Sequence, residues 1–220
     1  MKIGVVVGSF PSPSETFIRR ELSALQKNGW VVTVLALHTP PSRPQAAAPV
    51  VSPAAVHSRP RVLSWRVATA VAHWLRRSPR RFLRLWSRSL GEAGPCPLAL
   101  ARAARRLAVA TAFAHEARLA GCERIHAHFA FAPGKVGRLV AELLGVPFSL
   151  SVHARDIYTQ PYAAIKPLVD AADTVVCCTR HGLETIREAD AAVADKLLLA
   201  RHGLDLAEYP DATPAGDLVL

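Results

Sequence analysis

Hydrophobic positions in this chain come in short continuous runs, separated by stretches in which apolar residues recur every three or four places. Lys2 to Val7 and Val31 to Leu37 are β-branched runs without polar alternation, the pattern of parallel strands buried on both faces. Between them Phe17, Ile18, Leu22 and Leu25 keep helical spacing and give a helix its core face. Ser14 stands where the N-cap belongs, Glu15 occupies the first turn where the helix dipole favours an acid, and Gly29 closes the helix. This is a β-α-β unit with a right-handed crossover. The same alternation returns later, with strands at Arg124 to His128, Pro147 to Val152, Thr174 to Cys178 and Lys196 to Ala200. Helices fall between them at Pro133 to Leu144, ended by Gly145, at Tyr162 to Ala171 and at Arg180 to Ala189. Six strands alternating with helices predict an α/β fold with a Rossmann-like, doubly wound parallel sheet.

The middle of the chain interrupts that rhythm. His38 to Pro60 holds six prolines among small residues and predicts a loop without regular structure. Two short basic helices follow, Arg61 to Arg77 and Pro79 to Leu90, then an alanine-rich helix from Pro97 to Ala120 closed by Gly121. Here the charge becomes informative: of a formal net charge of +10, the stretch from Arg59 to Arg106 carries twelve arginines against the single acid Glu92. Arg66, Thr69, His73, Arg76 and Arg77 share one helical face, with Val67, Val71, Trp74 and Leu75 largely on another. Phe82, Leu85, Trp86 and Leu90 repeat the scheme among Arg80, Arg81 and Arg84. Two readings stand. The helices rest in an anionic membrane interface through Arg66, Trp74, Arg76, Arg77, Arg80, Arg81, Arg84 and Trp86, or they pack on their own domain with the arginines in water. Nucleic acid is a weaker partner, because no recognisable module accompanies the charge.

Composition adds limits. The four cysteines, Cys96, Cys122, Cys177 and Cys178, show no C-x-x-C spacing, which argues against a zinc site or a disulfide framework. The apolar run before Ser9 and Pro11 is too short for a secretory leader, and no stretch reaches the roughly 18 apolar residues of a membrane span. The expected place is cytoplasmic, peripheral on the inner face of the cytoplasmic membrane. At 220 residues, half of them hydrophobic, the chain fits one domain of ordinary to large size, or one domain plus a fragment of another.

In open parallel sheets ligands gather outside the carboxyl ends of the strands, so the residues that follow each strand are the candidates. After the first come Gly8, Ser9 and Phe10, then Ser14, Glu15 and Thr16: either an anion or sugar site at a helix mouth, or a tight capped turn. The absence of G-x-G-x-x-G argues against a dinucleotide fold. His126 and His128, two apart on the third strand, lie on one face. With His153 they could hold a metal, but no acidic cluster completes the set, so polar lining of a cleft is the favoured reading and satisfied structural histidines the alternative. His153, Arg155 and Asp156 follow the fourth strand and either orient a hydroxylated substrate or cap a helix, with Asp156 as the N-cap. Arg180, at a helix start after the fifth strand, is either a phosphate contact or a surface arginine.

The stretches "FPSPSETFIRRELSALQKNGWVVTVLAL", "HAHFAFAPGKVGRLVAELLGVPFSLSVHARDIYT" and "ARHGLDLAEY" resemble the N-terminal half of the family 4 glycosyltransferases, of the exopolysaccharide and colanic acid type. The resemblance covers most of residues 1–210 and is weakest in the 38–120 loop and helical insertion. It implies the N-terminal, acceptor-side half of a GT-B fold. The chain would be the acceptor-binding half of a retaining enzyme that transfers a hexose from a nucleotide-diphosphate sugar, the co-substrate, to a lipid-linked saccharide. It further implies His153 and Asp156 as catalytic residues. Gly8, Ser9, Phe10, Ser14, Glu15, Thr16, His126, His128, Arg155 and Arg180 would be substrate contacts, and no metal or other cofactor would be needed. The small polar "DATPAG" followed by the strand-like "DLVL" predicts that 211–220 begins a further domain. The family's donor-binding domain, with its basic pair and E-x7-E glutamates, has no counterpart here. The chain is therefore expected to be a fragment, a truncated reading frame, or one half of a split enzyme whose donor half is a partner. A non-catalytic docking module or accessory subunit is the alternative.

Overall fold

The computed structural model describes residues 1–12, 14–38 and 55–204; most of the proline-rich loop and the segment 211–220 lie outside the described residues. Seven strands form one all-parallel sheet: β1 (Lys2–Ser9), β2 (Val31–His38), β3 (Val56–Ser58), β4 (Arg124–His128), β5 (Phe148–Val152), β6 (Thr174–Cys177) and β7 (Leu197–Leu199). Their order across the sheet is β3-β2-β1-β4-β5-β6-β7. The Rossmann-like α/β architecture is therefore as the sequence predicts, with one strand more. β3 was hidden inside the stretch expected to lack regular structure, because three residues show no usable alternation; it forms through its pairing with β2.

Helix α1 (Thr16–Lys27) covers the β1 and β2 side of one sheet face through Ile18 and Leu22, packed on Val5, Val7, Val32 and Val34. The other face carries α2 (Trp65–Arg77), α3 (Pro79–Glu92), α4 (Pro97–Leu119), α5 (Ala132–Leu144), α7 (Tyr162–Ala171) and α8 (Arg180–Ala189), around Phe113, Leu143, Leu150 and Ile186. A short helix, α6 (Ala154–Tyr158), separates β5 from α7. Side chains along β4 and β5 divide accordingly: Ile125, Ala127, Leu150 and Val152 enter the large core, while His126, His128, Ser149 and Ser151 point the other way.

Two expectations at helix starts are corrected. Ser14 does not cap α1; its Oγ lies 3.2 Å from Ser12 Oγ, and Glu15 takes the N-cap position without a side-chain bond. Asp156 is not the N-cap of α6 but its third residue, with His153 at the cap. The basic insertion packs on its own domain. Trp74, expected at a membrane, is buried in α2 with its Nε1–H donating to Thr111 O at 3.3 Å. Trp86 is half-buried and its ring lies 5.5 Å from that of Phe82. Arg66 pairs with Glu116, and Arg81 donates to Leu143 O at 3.4 Å. Arg76, Arg77, Arg80 and Arg84 remain exposed. Among the described residues no helix is long and apolar enough to cross a membrane.

Glycine sets how closely α5 approaches the sheet. A Cβ on Gly134 would lie 2.9 Å from Phe129 O, and one on Gly137 would meet Ala127 Cβ at 3.0 Å. Neither neighbour is a flexible side-chain end, so Gly134→Ala is expected to push α5 outward and destabilise the fold by about 1–3 kcal/mol. Chemical denaturation measures this; an unchanged midpoint would show that α5 is free to move.

Candidate functional site

The strand order reverses between β1 and β4, since the chain runs from β1 out to β2 and β3 and returns on the opposite side of β1. A crevice forms at such a point in open α/β sheets. Here its floor is histidine. His126 and His128 project to the same face, as their spacing predicts, with rings 4.8 Å apart. His126 is held between two serines of β5: Nδ1 lies 2.8 Å from Ser149 Oγ and Nε2 lies 3.1 Å from Ser151 Oγ. Burial, aided by the neighbouring His153, lowers its pKa to about 4. His128 is fully buried, and neither ring nitrogen has a hydrogen-bond partner. Burial, then its histidine neighbours, holds it well below the ordinary range. The Oε1 of Glu21 on α1 stands 3.7 Å from His128 Nε2, and burial raises the Glu21 carboxyl to about 7.

One turn further on, Asp156 ties the ends of two strands together. Its Oδ1 accepts from the Ala130 amide and its Oδ2 from the His153 amide, each at 2.9 Å. The carboxyl is fully buried, and burial raises its pKa to about 6 against the opposing pull of those two amides and Arg155. Both oxygens thus face backbone, and Asp156 does not line the cleft. Its hydrogen bonds hold the two turns in place, and the catalytic role expected for it is not visible in this geometry. Between the bridged turns Phe129 sits at φ +74°, a conformation uncommon for a residue with a side chain. Its ring packs 4.4 Å from that of His153.

His153 is 8% exposed and its Nε2 has no partner. Burial, then His202, lowers its pKa to about 4. The Phe17 ring lies 5.1 Å from His153 and 4.3 Å from His202, while His153 and His202 stack 5.5 Å apart. These rings border a cleft of about 820 Å3 between α1 and the carboxyl ends of β5, β6 and β7. Glu21, Asn28, Ser151, Cys178, Arg19 and Arg201 also line it. Two donor sets could hold a cation, with ligand atoms within 4.8 Å: His153, Cys178 and His202, and Glu21, His126 and His128. The first suits a soft ion such as Zn2+. In the second, both His126 nitrogens already face serine hydroxyls.

Of the site residues expected from sequence, His153 lines the cleft and His126 and His128 lie in the same cluster. The others are elsewhere. Phe10 is core, Gly8, Ser9 and Glu15 are half-buried, and Ser14 and Thr16 are exposed; none of them lines the cleft. The exposed Arg155 lies over the Phe131 ring at 5.2 Å. Arg180 is exposed as the first residue of α8, whose cap is Thr179 Oγ1 accepting from Gly182 N at 3.0 Å. Phe17, Glu21, Cys178 and His202 are cleft residues that sequence reasoning missed. Phe17 shares the helical stripe of Ile18 and Leu22, so periodicity assigned it to the core, and the signals for His202 were its place just past a strand and its position in "ARHGLDLAEY".

No protein family's sequence profile matches this chain, and no curated protein matches it. Solved structures do. Sucrose-phosphate synthase from Thermosynechococcus elongatus superposes with a TM-score of 0.53 at 15% identity, covering 94% of this chain and 49% of that one. Anabaena HepE in complex with UDP and glucose gives 0.51 at 12% identity, covering 95% and 46%. UDP-GlcNAc 2-epimerase from Neisseria meningitidis bound to UDP-GlcNAc gives 0.51 at 12% identity, covering 92% and 47%. The chain therefore spans about half the length of these proteins, and its Rossmann-like fold is that of their GT-B architecture.

The histidine floor makes stability depend on pH. With its pKa lowered from 6.5 to about 4, His126 contributes stability that is fully present above about 6.5 and is lost as pH falls through 4, because the unfolded chain takes up the proton first. Glu21 and Asp156 act in the opposite sense below about 7 and 6, since the fold favours their protonated forms. The variant isolates the histidine. His126→Gln is expected to lose on the order of 3 kcal/mol less stability than the parent between pH 7.5 and 4, read by denaturant titration at each pH. Parallel pH profiles would show that His126 is not held neutral.

Proposed function

We propose that this chain is the acceptor-binding half of a retaining hexosyltransferase. It would act on a nucleotide-diphosphate sugar and a lipid-linked saccharide, in cell-surface polysaccharide synthesis at the cytoplasmic face of the membrane. One observation carries the reading: a neutral, buried imidazole, His153, lines the cleft and keeps an unpartnered Nε2 at its wall, in a sheet whose fold is shared with nucleotide-sugar enzymes. A buried polar nitrogen without a partner costs about 1–3 kcal/mol, and a sugar hydroxyl seated there recovers it.

In the transfer, the bond from sugar C1 to the diphosphate oxygen breaks as the acceptor hydroxyl oxygen bonds to C1 on the same face. The hydroxyl proton passes to the departing diphosphate. A neutral ring suits an oxocarbenium-like sugar, since imidazolium beside it would repel the developing positive charge. Arg19 and Arg201 on the cleft wall favour the diphosphate by their potential. Glu21 and Phe17 bound the acceptor side, one as a hydrogen-bonding group and the other as an apolar platform for a sugar face. The neighbours' double length supports placing the main grip on the donor in a second half.

The test combines this chain with a donor-binding half, fused or supplied in trans, and follows radiolabelled hexose from UDP- and GDP-sugars into a lipid-linked saccharide fraction. Transfer is expected, and His153→Ala should lower kcat at least about a hundredfold while the far-ultraviolet spectrum stays unchanged. No transfer and no saccharide binding by a folded chain would overturn the reading.

A further inference from the structure

The insertion holds a second concave site far in sequence from the histidines. A cavity of about 290 Å3 is lined by Arg59, Pro60, Arg61, Val62 and Arg105. Three arginines line it from two parts of the fold: Arg59 and Arg61 from the turn leaving β3, whose course is fixed by the Arg59 amide donating to Ala36 O at 2.9 Å, and Arg105 from α4. Among the described residues no carboxylate forms an ion pair with any of the three. Glu116, on the same helix as Arg105, is taken by Arg66 and by His57 at 3.4 Å. Like charges drawn together without an acid call for an external anion.

The chain that follows the cavity wall is apolar and faces water. Leu63 is 99% exposed and Trp65 75% exposed, next to the exposed Val62 on the cavity wall. Trp65 is the residue that the sequence pattern left out of the basic helices' membrane face, and it takes the place expected of Trp74, which packs inward. The exposed Arg76, Arg77, Arg80 and Arg84 stand at the opposite end of α2 and past the α2–α3 corner, away from Leu63 and Trp65. An aliphatic side chain held almost wholly in water beside an acid-free arginine cluster fits a lipid surface, in which Leu63 and Trp65 enter the headgroup boundary and the arginines meet phosphate. A single-stranded nucleic acid would require aromatic platforms along a basic groove, and among the described residues no aromatic ring lines this cavity.

We propose that Arg59, Arg61 and Arg105 form a seat for the phosphate of an anionic membrane lipid, with Val62, Leu63 and Trp65 as the wedge that enters the bilayer beside it. This deepens the placement of the chain at a membrane under the proposed function, but it depends on no residue of the cleft and no sugar transfer. Guanidinium forks match phosphate oxygens two at a time, so the seat favours phosphate over other anions of equal charge.

The experiment uses the full chain with sedimented vesicles of phosphatidylcholine alone and of phosphatidylcholine with 30% phosphatidylglycerol, with Trp emission recorded in parallel. Binding is expected to the anionic vesicles only, with a blue shift that Trp65→Phe removes. Replacing Arg59, Arg61 and Arg105 together by Gln should weaken binding roughly a hundredfold, from about 1 kcal/mol per cation near the surface. Replacing Arg76, Arg77 and Arg80 by Gln removes the same charge at the far end of α2. That end is roughly 18 Å away by helix rise, beyond the screening length, so it should weaken binding less than tenfold. Leu63→Ser is fully exposed, leaves the fold intact and should weaken vesicle binding while leaving inorganic phosphate binding unchanged. Equal losses in the two arginine triples, equal binding to neutral vesicles, or a Leu63→Ser variant that binds like the parent would each overturn the proposal. Phosphate binding without vesicle binding would assign the seat to a free anion, and binding of single-stranded RNA in preference to vesicles would assign it to nucleic acid. Loss of sugar transfer with vesicle binding intact would count against the proposed function alone.

Discussion

The cleft depends on one buried carboxylate. Parallel strands end side by side, but nothing in their ladder fixes the turns beyond them, because backbone pairing stops where each chain bends away. Asp156 supplies the missing constraint by accepting from Ala130 on the turn after β4 and from His153 on the turn after β5. Both amides would otherwise be unsatisfied in an interior site. That single bridge decides where the His153 ring stands, and it makes the positive φ of Phe129 tolerable, since the turn is held from both sides. The burial that raises its pKa to about 6 reflects the price of placing it there, and the two amide bonds keep that price from being larger.

From this clamp follows the unusual polarity of one sheet face. The large core takes Ile125, Ala127, Leu150 and Val152, as a two-sided parallel sheet normally would on both faces. Opposite them stand His126, His128, Ser149 and Ser151, and the serines serve His126 from the neighbouring strand. Such a set packs only if uncharged, because imidazolium rings 4.8 and 5.9 Å apart in a dry site would repel strongly. Burial therefore acts on electrostatics here: it keeps every ring neutral, and it leaves nitrogens on His128 and His153 without partners in a region bordered by Phe17 and Glu21. Unpartnered polar atoms cost stability, and on this face they gather on neighbouring strand ends beside the cleft.

All the strands but β3, their order of appearance and the main helices between them were legible in the sequence, because β-branched runs and three-to-four spacing are local signals. The same-face placement of His126 and His128 was legible for the same reason. What the sequence did not show is tertiary. Phe17 obeys the stripe of α1 and still turns toward the cleft rings, since a helix that covers only β1 and β2 leaves its edge over the β5 side. Asp156 carries the residue type and spacing of either a catalytic acid or a cap, and only the position of Ala130, 26 residues earlier, shows it to be a bridge. The glycine-serine turn after β1 had the right composition for a ligand loop, but the described cleft opens on the other side of α1's start, against β5 to β7.

The insertion shows how an amphipathic pattern can be spent twice. Trp74, Phe82 and Leu85 satisfy the domain's own core, so the apolar half of the basic helices is consumed in packing. Their arginines divide in turn: Arg66 serves Glu116, Arg88 serves Glu142, and Arg81 reaches a backbone carbonyl of α5. Periodicity alone treats all these arginines and tryptophans as one surface. Packing separates them, because each residue used internally is subtracted from the interface the helices can offer. What remains is smaller and chemically sharper: guanidinium groups without acids beside Leu63 and Trp65 at one end of α2, where the turn from β3 holds both kinds of side chain out of the core.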